Sequence, residues 1–590
     1  MCGFAGFIER GNQHPLPSRK AILQEMGARM AARGPDEEAC VLNADLSLVF
    51  RRLSIVDLET GTQPIWNEDH TCCVVANGEI YNHLELRQAL RQPHQFRTRS
   101  DSEIILHLWE ERGTECVSLL NGIFAFAIWN SRDQSLFLAR DRFGVKPLFY
   151  AITPGSFIFG SEIKALLVHP SSPRTLNFAS TEAIEESPVL GIQSLPGGHF
   201  AVVSDGALTT TRYWSIQQSS SDEGLSADDY VERYADLVED AVRQQLMSDV
   251  PLAVSLSGGL DSSIIAAIAG RMNGNILAFT IYEEKDKVGD RQAARELANL
   301  LGMRHHEIAW NTQMMLSASA SLIDLEYLVW AMDSPFGTLQ YWSKMLACRA
   351  AQSIVPGLKV ILIGQGSDEF SGGYTCGNEW QHANADWDTF MRRVSSAGLP
   401  AGMKTLATLM PGGFVSDQEY VYASQLQRRH TYLQKIILWC EDRAISSQGL
   451  ECRVPFLDHR IVELLLSIPA PLRRTLLWDK EIVRRAAQRW LPAHLARRPK
   501  CGFIPMPDSS FEAAAGNLCR MFPAFEEKYL WRQDALFDGK AVRQIVARLE
   551  ERVSRDDFQQ LFRSMQFAIF NEQCQRPTSF DYLMRYSPLD

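Results

Sequence analysis

The sequence lacks the marks of several protein classes. It has no apolar run near the roughly 18 residues that span a bilayer, and no basic segment followed by an apolar one after Met1. Its 12 cysteines include no Cys-x-x-Cys pair, which disfavours a zinc site or a disulfide framework. Asp and Glu outnumber Lys and Arg by 70 to 59, and the net charge of −11 disfavours a nucleic-acid partner. We expect a cytoplasmic protein with reduced thiols and no membrane or nucleic-acid partner.

A serine- and glycine-rich segment, Ser257-Gly258-Gly259-Leu260-Asp261-Ser262-Ser263, follows an apolar run that ends at Leu256. The run predicts a buried strand, and the apolar spacing after the segment predicts a helix. This arrangement directs backbone N–H groups at an anion, and the spaced Gly-Lys-Ser/Thr of a Walker loop is absent. A carboxylate beside phosphate needs a bridging cation, so Asp261 is a candidate Mg²⁺ ligand. A plain serine-glycine turn is the alternative. The segment resembles the pyrophosphate loop of ATP pyrophosphatases, which adenylate a substrate and release pyrophosphate.

The chain opens with Met1-Cys2-Gly3, so removal of Met1 would leave a cysteine at the amino terminus. Its thiol and its α-amine would then belong to one residue, and an amine with a pKa of about 7.7–8 can act as the base for the thiol. Asn77-Gly78 follows a strand-like run, and an amide beside a glycine N–H has the chemistry of an oxyanion hole. The alternatives are an ordinary terminal cysteine and a hairpin turn.

The motifs from Cys2 to about Trp214 resemble the glutaminase domain of class II amidotransferases, which are N-terminal-nucleophile hydrolases. The resemblance implies that Cys2 attacks the carboxamide of glutamine. It also implies that Asn77 and Gly78 hold the oxyanion and contact the substrate.

The same resemblance implies three further glutamine-binding residues. Arg52 would pair with the α-carboxylate, a bidentate role that suits guanidinium. Glu79 and Asp101 would receive the α-ammonium. Asp101 has a second interpretation, because Ser100 or Asp101 could be the N-cap of a helix that runs through Ile104.

The second half of the chain alternates strand and helix patterns, beginning with a helix predicted from Ala227 to Met247. This alternation predicts a doubly wound parallel sheet, which binds ligands beyond the carboxyl ends of its strands. The serine-glycine segment lies at one such end, and Gly364-Gln365-Gly366-Ser367-Asp368-Glu369 lies at another. Asp261 and Asp368 could therefore bracket Mg²⁺-pyrophosphate. A solvated acidic loop is the alternative for Asp368.

The order of these motifs, followed by Leu450 to His459, resembles the glutamine-hydrolysing asparagine synthetases over nearly the full chain. The resemblance implies ATP and Mg²⁺ as cofactors. It places Lys480 opposite the reacting phosphate, where a cation offsets developing charge; a surface helix charge is the alternative. The residues implied to bind ATP or pyrophosphate are Ser255, Leu256, Ser257, Gly258, Gly259, Asp261, Ser262, Ile281, Ile363 and Gly364.

The chain departs from the family pattern at two positions. Gln365 stands where the family commonly has an acidic residue, and Ser334 follows Asp333 where the family often has Glu. The resemblance places both positions near the acceptor amino acid. An amide cannot serve as a carboxylate base or as a partner for a cation, so these departures bear on which acid is the acceptor.

We predict an α+β N-terminal-nucleophile hydrolase domain of stacked antiparallel sheets with helices at residues 2–214 and a linker at 215–225. An α/β doubly wound parallel-sheet ATP-pyrophosphatase domain with a helical C-terminal part would follow at residues 226–590. The predicted reaction is glutamine- and ATP-dependent amidation of a carboxylate through an acyl-adenylate, by default of L-aspartate to L-asparagine. The alternatives are a natural-product, peptide or sugar acid as acceptor, ring closure like that of β-lactam synthetases, and a non-catalytic glutamine sensor. The expected partners are small-molecule substrates, with a homodimer as an open alternative.

Overall fold

The computed structural model describes residues 1–9, 14–43, 46–178, 187–216, 224–283, 289–310, 321–376, 386–396, 417–499 and 508–586. The N-terminal part, up to residue 216, contains two antiparallel sheets, and the C-terminal part is built on a parallel sheet. Within the described ranges, no helix is both long enough and apolar enough to cross a membrane.

The strands of the N-terminal part enter the two sheets in blocks of consecutive strands. In chain order they are β1 (Gly3–Glu9), β2 (Glu37–Leu42), β3 (Leu46–Arg52), β4 (Ile65–Trp66), β5 (Cys72–Ile80), β6 (Gly122–Asn130), β7 (Ser135–Arg140), β8 (Phe149–Thr153), β9 (Ser156–Gly160), β10 (Ile192–Ser194), β11 (His199–Ser204) and β12 (Ala207–Arg212). β1–β3 and β8–β10 form one sheet, with the order β10-β8-β9-β1-β3-β2, and β4–β7 and β11–β12 form the other, with the order β12-β11-β7-β6-β5-β4. The sheets stack through apolar side chains that alternate inward from both, among them Phe4, Phe50, Val75 and Leu138.

Short helices cover this pair of sheets. They are α1 (Leu16–Arg29), α2 (His83–Ala89), α3 (Glu103–Arg112), α4 (Cys116–Leu119) and α5 (Ile163–Leu166). The predicted N-cap of α3 was wrong, because the helix begins after Ser102. The Asp101 carboxylate instead accepts a hydrogen bond from the backbone N–H of Ile80 at 2.6 Å, which ties it to the end of β5.

The strands of the C-terminal part all run parallel. They are β13 (Leu252–Ser255), β14 (Leu277–Glu283), β15 (Arg304–Trp310), β16 (Val360–Leu362) and β17 (Glu451–Arg453). The order β15-β14-β13-β16-β17 means that the chain winds outward from β13 in one direction and then returns to wind outward in the other. The crevice between β13 and β16 is therefore the topological switch point, where such sheets bind ligands.

Helices flank the parallel sheet and build the end of the chain. They are α6 (Ala227–Gln245), α7 (Leu260–Met272), α8 (Asp290–Leu301), α9 (Leu322–Met332), α10 (Leu339–Ile354), α11 (Ser367–Phe370), α12 (Trp387–Ser396), α13 (Asp417–Tyr432), α14 (Leu438–Ser446), α15 (His459–Ser467), α16 (Ala470–Leu476), α17 (Glu481–Ala487), α18 (Ala493–Ala496), α19 (Asp508–Tyr529), α20 (Gly539–Glu551) and α21 (Arg555–Gln575). Ser226 and Asp229 form a reciprocal capping box at the start of α6. The apolar face of α8, which contains Ala293, Ala294, Leu297 and Ala298, is buried.

The predicted fold class is confirmed by these layers. The proposed domain limits remain a prediction, and residues 217–223 of the proposed linker lie outside the described residues.

Candidate active site

Cys2 lies immediately before β1, an inner strand of the first sheet, where the two parts of the chain meet. It precedes β1, whose antiparallel register pairs Gly3 with Arg51 and so brings Cys2 beside Arg52. Its thiol donates to the carbonyl of Leu53 at 3.7 Å, and the Arg33 guanidinium donates to the Cys2 carbonyl at 2.8 Å. Burial raises the pKa of the thiol to about 11 while Met1 is attached. In that form the nitrogen of Cys2 is an amide, so the thiol has neither its own base nor a thiolate at neutral pH.

The amide of Asn77 is completely buried on β5. Within the described residues, neither its oxygen nor its nitrogen has a hydrogen-bond partner. A buried amide without partners is costly, so this side chain is suited to complete its bonds with a bound ligand. Gly78 has φ +134°, and a Cβ there would lie 1.9 Å from the carbonyl oxygen of Ile123. Only glycine fits this position, which leaves its backbone open beside Asn77.

Glu79 and Asp101 form a pair of buried carboxylates near this strand end. Burial, followed by repulsion from Asp101, raises the pKa of Glu79 well above its usual value. Burial also raises the pKa of Asp101. A cation placed against both groups would offset this cost, which is the electrostatic requirement of an ammonium site.

Two buried guanidinium groups, those of Arg52 and Arg453, belong to this region of the chain. Arg52 donates from Nη1 to Glu37 at 2.9 Å and from Nη2 to the carbonyl of Asp57 at 2.5 Å. Arg453, on β17, lies 3.2 Å from Glu79 and therefore joins the parallel sheet to the residues predicted to bind glutamine. Sequence reasoning missed Arg453, because local sequence carries no signal for a contact between residues 374 positions apart.

The serine-glycine segment begins at the carboxyl end of β13 and leads into α7. Gly258 has φ +82°, and a Cβ there would lie 2.1 Å from the carbonyl oxygen of Asp290, so the turn requires glycine. The backbone N–H of Ser257 donates to the Ser262 hydroxyl at 3.1 Å, and that of Gly259 donates to the Ser257 hydroxyl at 3.3 Å. These bonds close the loop around the start of α7. The N-terminus of a helix can bind an anion through its backbone N–H groups.

The other residues implied to contact ATP lie at the same edge of the sheet. Ser255 ends β13, the buried Leu256 follows it, and the exposed Ile281 lies near the end of β14. Ile363 follows β16, and a Cβ at Gly364 would lie 3.0 Å from the Cβ of Asp261. The sequence-predicted set is thus brought together around the crevice between β13 and β16.

Lys480 joins the two predicted metal-binding carboxylates. Its ammonium contacts Asp261 and lies 2.9 Å from Asp368, and the Ser367 hydroxyl donates to Asp261 at 2.8 Å. Burial by itself would lower the pKa of Lys480, but the two carboxylates raise it, so the amine is charged. Lys480 is 3% exposed, so the surface-charge alternative was wrong. Two carboxylates that converge on one cation also fit Mg²⁺ held with phosphate oxygens.

Gln365 makes a contact that the sequence did not predict. Its side-chain nitrogen donates to Glu441 Oε1 at 3.1 Å, and the Lys344 ammonium contacts the same oxygen. Glu441 is buried, and within the described residues its Oε2 has no hydrogen-bond partner. A carboxylate is therefore present beside position 365, but it comes from α14.

Ser334 and Asp333 lie where the two parts of the chain touch. The Asp333 carboxylate accepts hydrogen bonds from the backbone N–H groups of Ile163 and Lys164, the second at 2.8 Å. The Ser334 hydroxyl accepts from the backbone N–H of Phe336 at 3.2 Å. Asp333 thus anchors the start of α5, which gives this position a structural role between the two parts.

Buried ion pairs cross the junction between the two parts. We call this junction the seam, and it contains Arg33, Glu162, Asp442, Lys146 and Glu451. Arg33 lies 2.7 Å from Asp442 and 3.0 Å from Glu162. Lys146 lies 3.6 Å from Glu451. Because the Cys2 carbonyl accepts from Arg33 and Glu79 forms an ion pair with Arg453, the seam adjoins the residues predicted to bind glutamine.

Comparisons with known proteins match the N-terminal and C-terminal parts to two different families. Residues 1–214 match the family described as glutamine amidotransferase domain, and residues 233–572 match the family described as asparagine synthase. Glutamine-hydrolyzing asparagine synthetase 2 of Bacillus subtilis is 34% identical over 543 residues, which cover 85% of this chain and 72% of that relative. Asparagine synthetase 3 of the same organism is 32% identical, covering 85% and 86%, and synthetase 1 is 29% identical, covering 86% and 87%. The chain belongs to the family of glutamine-hydrolysing asparagine synthetases, which are carbon–nitrogen ligases.

Proposed function

We propose that this chain uses glutamine and ATP to convert a carboxylate to an amide through an acyl-adenylate, with L-aspartate as the acceptor. The observation that carries the proposal is the convergence of Lys480, Asp261 and Asp368 at the switch point of the parallel sheet. The N-terminal part, across the seam, holds the Cys2 thiol and, on β5, the buried amide of Asn77, which has no hydrogen-bond partner among the described residues. A carboxylate is a poor electrophile, and adenylation supplies both activation and a leaving group.

The nitrogen donor is produced at Cys2 once Met1 has been removed. The free α-amine takes the thiol proton, the sulfur attacks the carboxamide, and Asn77 with the Gly78 N–H stabilises the oxyanion. Ammonia leaves, and water hydrolyses the thioester to glutamate. Arg52 would hold the α-carboxylate of glutamine, and Glu79 with Asp101 would hold its α-ammonium.

At the second site, the acceptor carboxylate attacks the α-phosphate of ATP and pyrophosphate leaves. The loop from Ser257 to Ser262 would bind the pyrophosphate, and Lys480 would neutralise charge that builds on it. Asp261 and Asp368 would hold Mg²⁺, which supplies additional charge neutralisation. Ammonia then attacks the acyl carbon and AMP departs. We propose that ammonia travels along the seam, because bulk water would protonate it at neutral pH.

The acceptor is tested by a panel of carboxylic acids with pyrophosphate release as the readout. L-aspartate should give pyrophosphate, AMP and asparagine in equal amounts. If another acid supports release and aspartate does not, the acceptor assignment is wrong while the chemistry stands. If no acid supports release, a glutamine-sensing role is favoured.

The nitrogen source is tested by a Cys2→Ala variant. It should lose glutamine-dependent synthesis and keep ammonia-dependent synthesis, because the two sites perform separate steps. Loss of both activities in a folded variant would contradict the two-site proposal. Light scattering on the intact chain tests the homodimer, which remains a prediction.

A further inference from the structure

A second group of polar side chains lies close together within the N-terminal part, away from the residues described above. Its members are Glu68, His94, His107 and Glu110, which we call the His/Glu cluster. One ligand atom from each lies within 4.8 Å of those of the others. Glu68 follows β4, and His94 lies in the segment between α2 and α3. His107 and Glu110 are three residues apart on α3 and so share one face of that helix.

Three separations within the cluster are close to those of a tetrahedral set of metal ligands. His94 Nδ1 lies 3.6 Å from Glu68 Oε1 and 3.6 Å from Glu110 Oε2, and His107 Nδ1 lies 3.1 Å from that Glu110 oxygen. Metal–ligand bonds of about 2.0–2.2 Å in a tetrahedron place neighbouring ligand atoms about 3.3–3.6 Å apart. The observed spacing therefore needs little change to surround one ion.

Each histidine directs its other ring nitrogen at a further carboxylate. His94 Nε2 lies 3.5 Å from Glu111, and His107 Nε2 lies 3.6 Å from Glu103. Neither Nε2 makes a hydrogen bond within the part of the chain that the structure describes. Histidines that bind metals through one nitrogen usually donate the other N–H to a carboxylate. Both rings have this orientation, with Nδ1 inward and Nε2 facing an acidic partner.

The acidic side chains around the rings are held by backbone groups. Glu111 accepts from the N–H groups of residues 91 and 92 at 2.8 Å each, and Glu103 accepts from those of residues 97 and 98 at 2.7 Å each. Asn67 donates to Glu110 Oε1 at 2.9 Å, which leaves Oε2 facing the histidines. The arrangement is thus preorganised before any ligand binds.

We propose that the His/Glu cluster binds one divalent transition-metal ion, with Zn²⁺ as the ion that suits this donor set best. Two imidazoles and two carboxylates are common zinc ligands, and four surrounding carboxylates favour a dication. The ion would fasten the segment from 90 to 102 to α3. That segment contains Asp101, so the site would stabilise the position of a carboxylate that is predicted to bind glutamine.

The competing interpretation is an imidazolium held between carboxylates without a metal. In that state, burial opposes protonation of His107, but Glu103 and Glu110 raise its pKa to about 9. The metal and the imidazolium are mutually exclusive, because both would occupy the space between His107 Nδ1 and Glu110 Oε2.

The test uses the full-length, tag-free protein, stripped with a chelator, loaded with Zn²⁺ and desalted. Elemental analysis should show one equivalent of zinc that is lost in His94→Gln and in His107→Gln. His70→Asn, a change in the same region outside the cluster, should retain it. The thermal transition of the stripped protein should rise when zinc is added and should not rise with Mg²⁺. Co²⁺ loading should give the visible spectrum of a tetrahedral site.

If a His107 variant fails to fold, the exposed Glu68→Ala provides the same test with little risk to the core. Glu111→Gln should weaken zinc affinity by about 10–100-fold, because it removes the carboxylate that faces His94. Equal zinc content in the parent, His94→Gln and Glu68→Ala proteins would overturn the proposal. So would a parent protein that retains no zinc after desalting.

Discussion

Lys480 carries its charge in a place where burial by itself would favour the neutral amine. The adjacent carboxylates of Asp261 and Asp368 reverse that preference. Both carboxylates remain partly exposed, with side chains 20% and 24% accessible, so removal of the ammonium leaves them some solvation. Replacement of Lys480 should therefore test its chemical role while the chain still folds.

We predict that Lys480→Met lowers ammonia-dependent amide synthesis by about 10²–10³-fold, because charge on the departing pyrophosphate is no longer offset. Glutamine hydrolysis at Cys2 should stay within about twofold of the parent, since the change lies at the other site. Pyrophosphate release and glutamate formation, measured separately, check both parts. Lys20→Met, at an exposed position, is the control. A variant that retains synthesis would remove Lys480 from the mechanism.

Glu369 gives a prediction for pH dependence. Burial, followed by repulsion from Asp368, raises the pKa of Glu369 from 4.5 to about 7. Between these two values the folded chain binds more protons than the unfolded chain, so the free energy of unfolding falls as pH rises from 4.5 to 7. Above pH 7 the free energy of unfolding is lower by the full amount, on the order of 3 kcal/mol.

Glu369→Gln removes this titration and should raise the melting temperature relative to the parent at pH 8. At pH 5 the two proteins should melt at nearly the same temperature, because the parent carboxyl is then protonated in the folded chain. Thermal melts at both pH values check the sign. A difference of equal size at pH 5 and pH 8 would mean that the carboxyl is charged in the folded chain at both.

At the scale of single elements, the loop between β13 and α7 depends on one backbone conformation. Gly258 has positive φ and lies against the carbonyl of Asp290, so a side chain there forces the loop outward. Gly274 provides a matched position, because its φ is not positive and, among the described residues, no atom lies within 4 Å of the place that a Cβ would take.

We predict that Gly258→Ala reduces pyrophosphate release by at least about tenfold, since a displacement near 1 Å is enough to cost 10²-fold in a positioned reaction. Glutaminase activity should be preserved. Gly274→Ala should match the parent in both assays. Unchanged pyrophosphate release in Gly258→Ala would show that the loop does not set the geometry of the reaction.

Local pattern predicted these elements because a strand, its turn and the following helix are specified by neighbouring residues. The buried strand β13 and the helix α7 that follows the serine-glycine segment were predicted correctly for this reason. The cap of α3 was misassigned because Asp101 has a stronger partner in Ile80, twenty-one residues earlier. The Arg453–Glu79 and Gln365–Glu441 contacts depend on how distant elements pack, which local pattern does not encode.

The His/Glu cluster illustrates the same limit. The spacing of the cysteines disfavoured a zinc site. His107 and Glu110 are three residues apart on one helix, a spacing that by itself indicates only a shared helix face. Their partners Glu68 and His94 come from two other segments, so the cluster appears only after folding.

At the scale of the whole molecule, the seam joins the two parts through buried charge. Both oxygens of Asp442 accept from Arg33, at 2.9 and 2.7 Å, and Arg33 also holds the Cys2 carbonyl. A change at the Arg33–Asp442 pair should therefore weaken the contact between the two parts more than it changes the chemistry at either site.

We predict that Asp442→Asn raises the ratio of glutamate formed to amide formed to well above one, because ammonia escapes where the seam loosens. Ammonia-dependent synthesis should remain within about twofold, and the melting temperature should fall, since loss of one partner from a buried ion pair costs about 3–5 kcal/mol. Product analysis by mass spectrometry gives the ratio. Asp556→Asn, at an exposed position in the first turn of α21, is the control. A ratio that stays at one would indicate that this pair has no role in coupling.

Met1 is fully covered by the folded chain and packs in a cluster that contains residues of both parts. Its sulfur accepts a hydrogen bond from Arg33 at 3.4 Å, within the seam. An aminopeptidase has no access to a residue in that position. If Cys2 is the nucleophile, as proposed above, Met1 must be removed in the interval of translation in which the amino terminus has emerged from the ribosome and the later strands that enclose it have not.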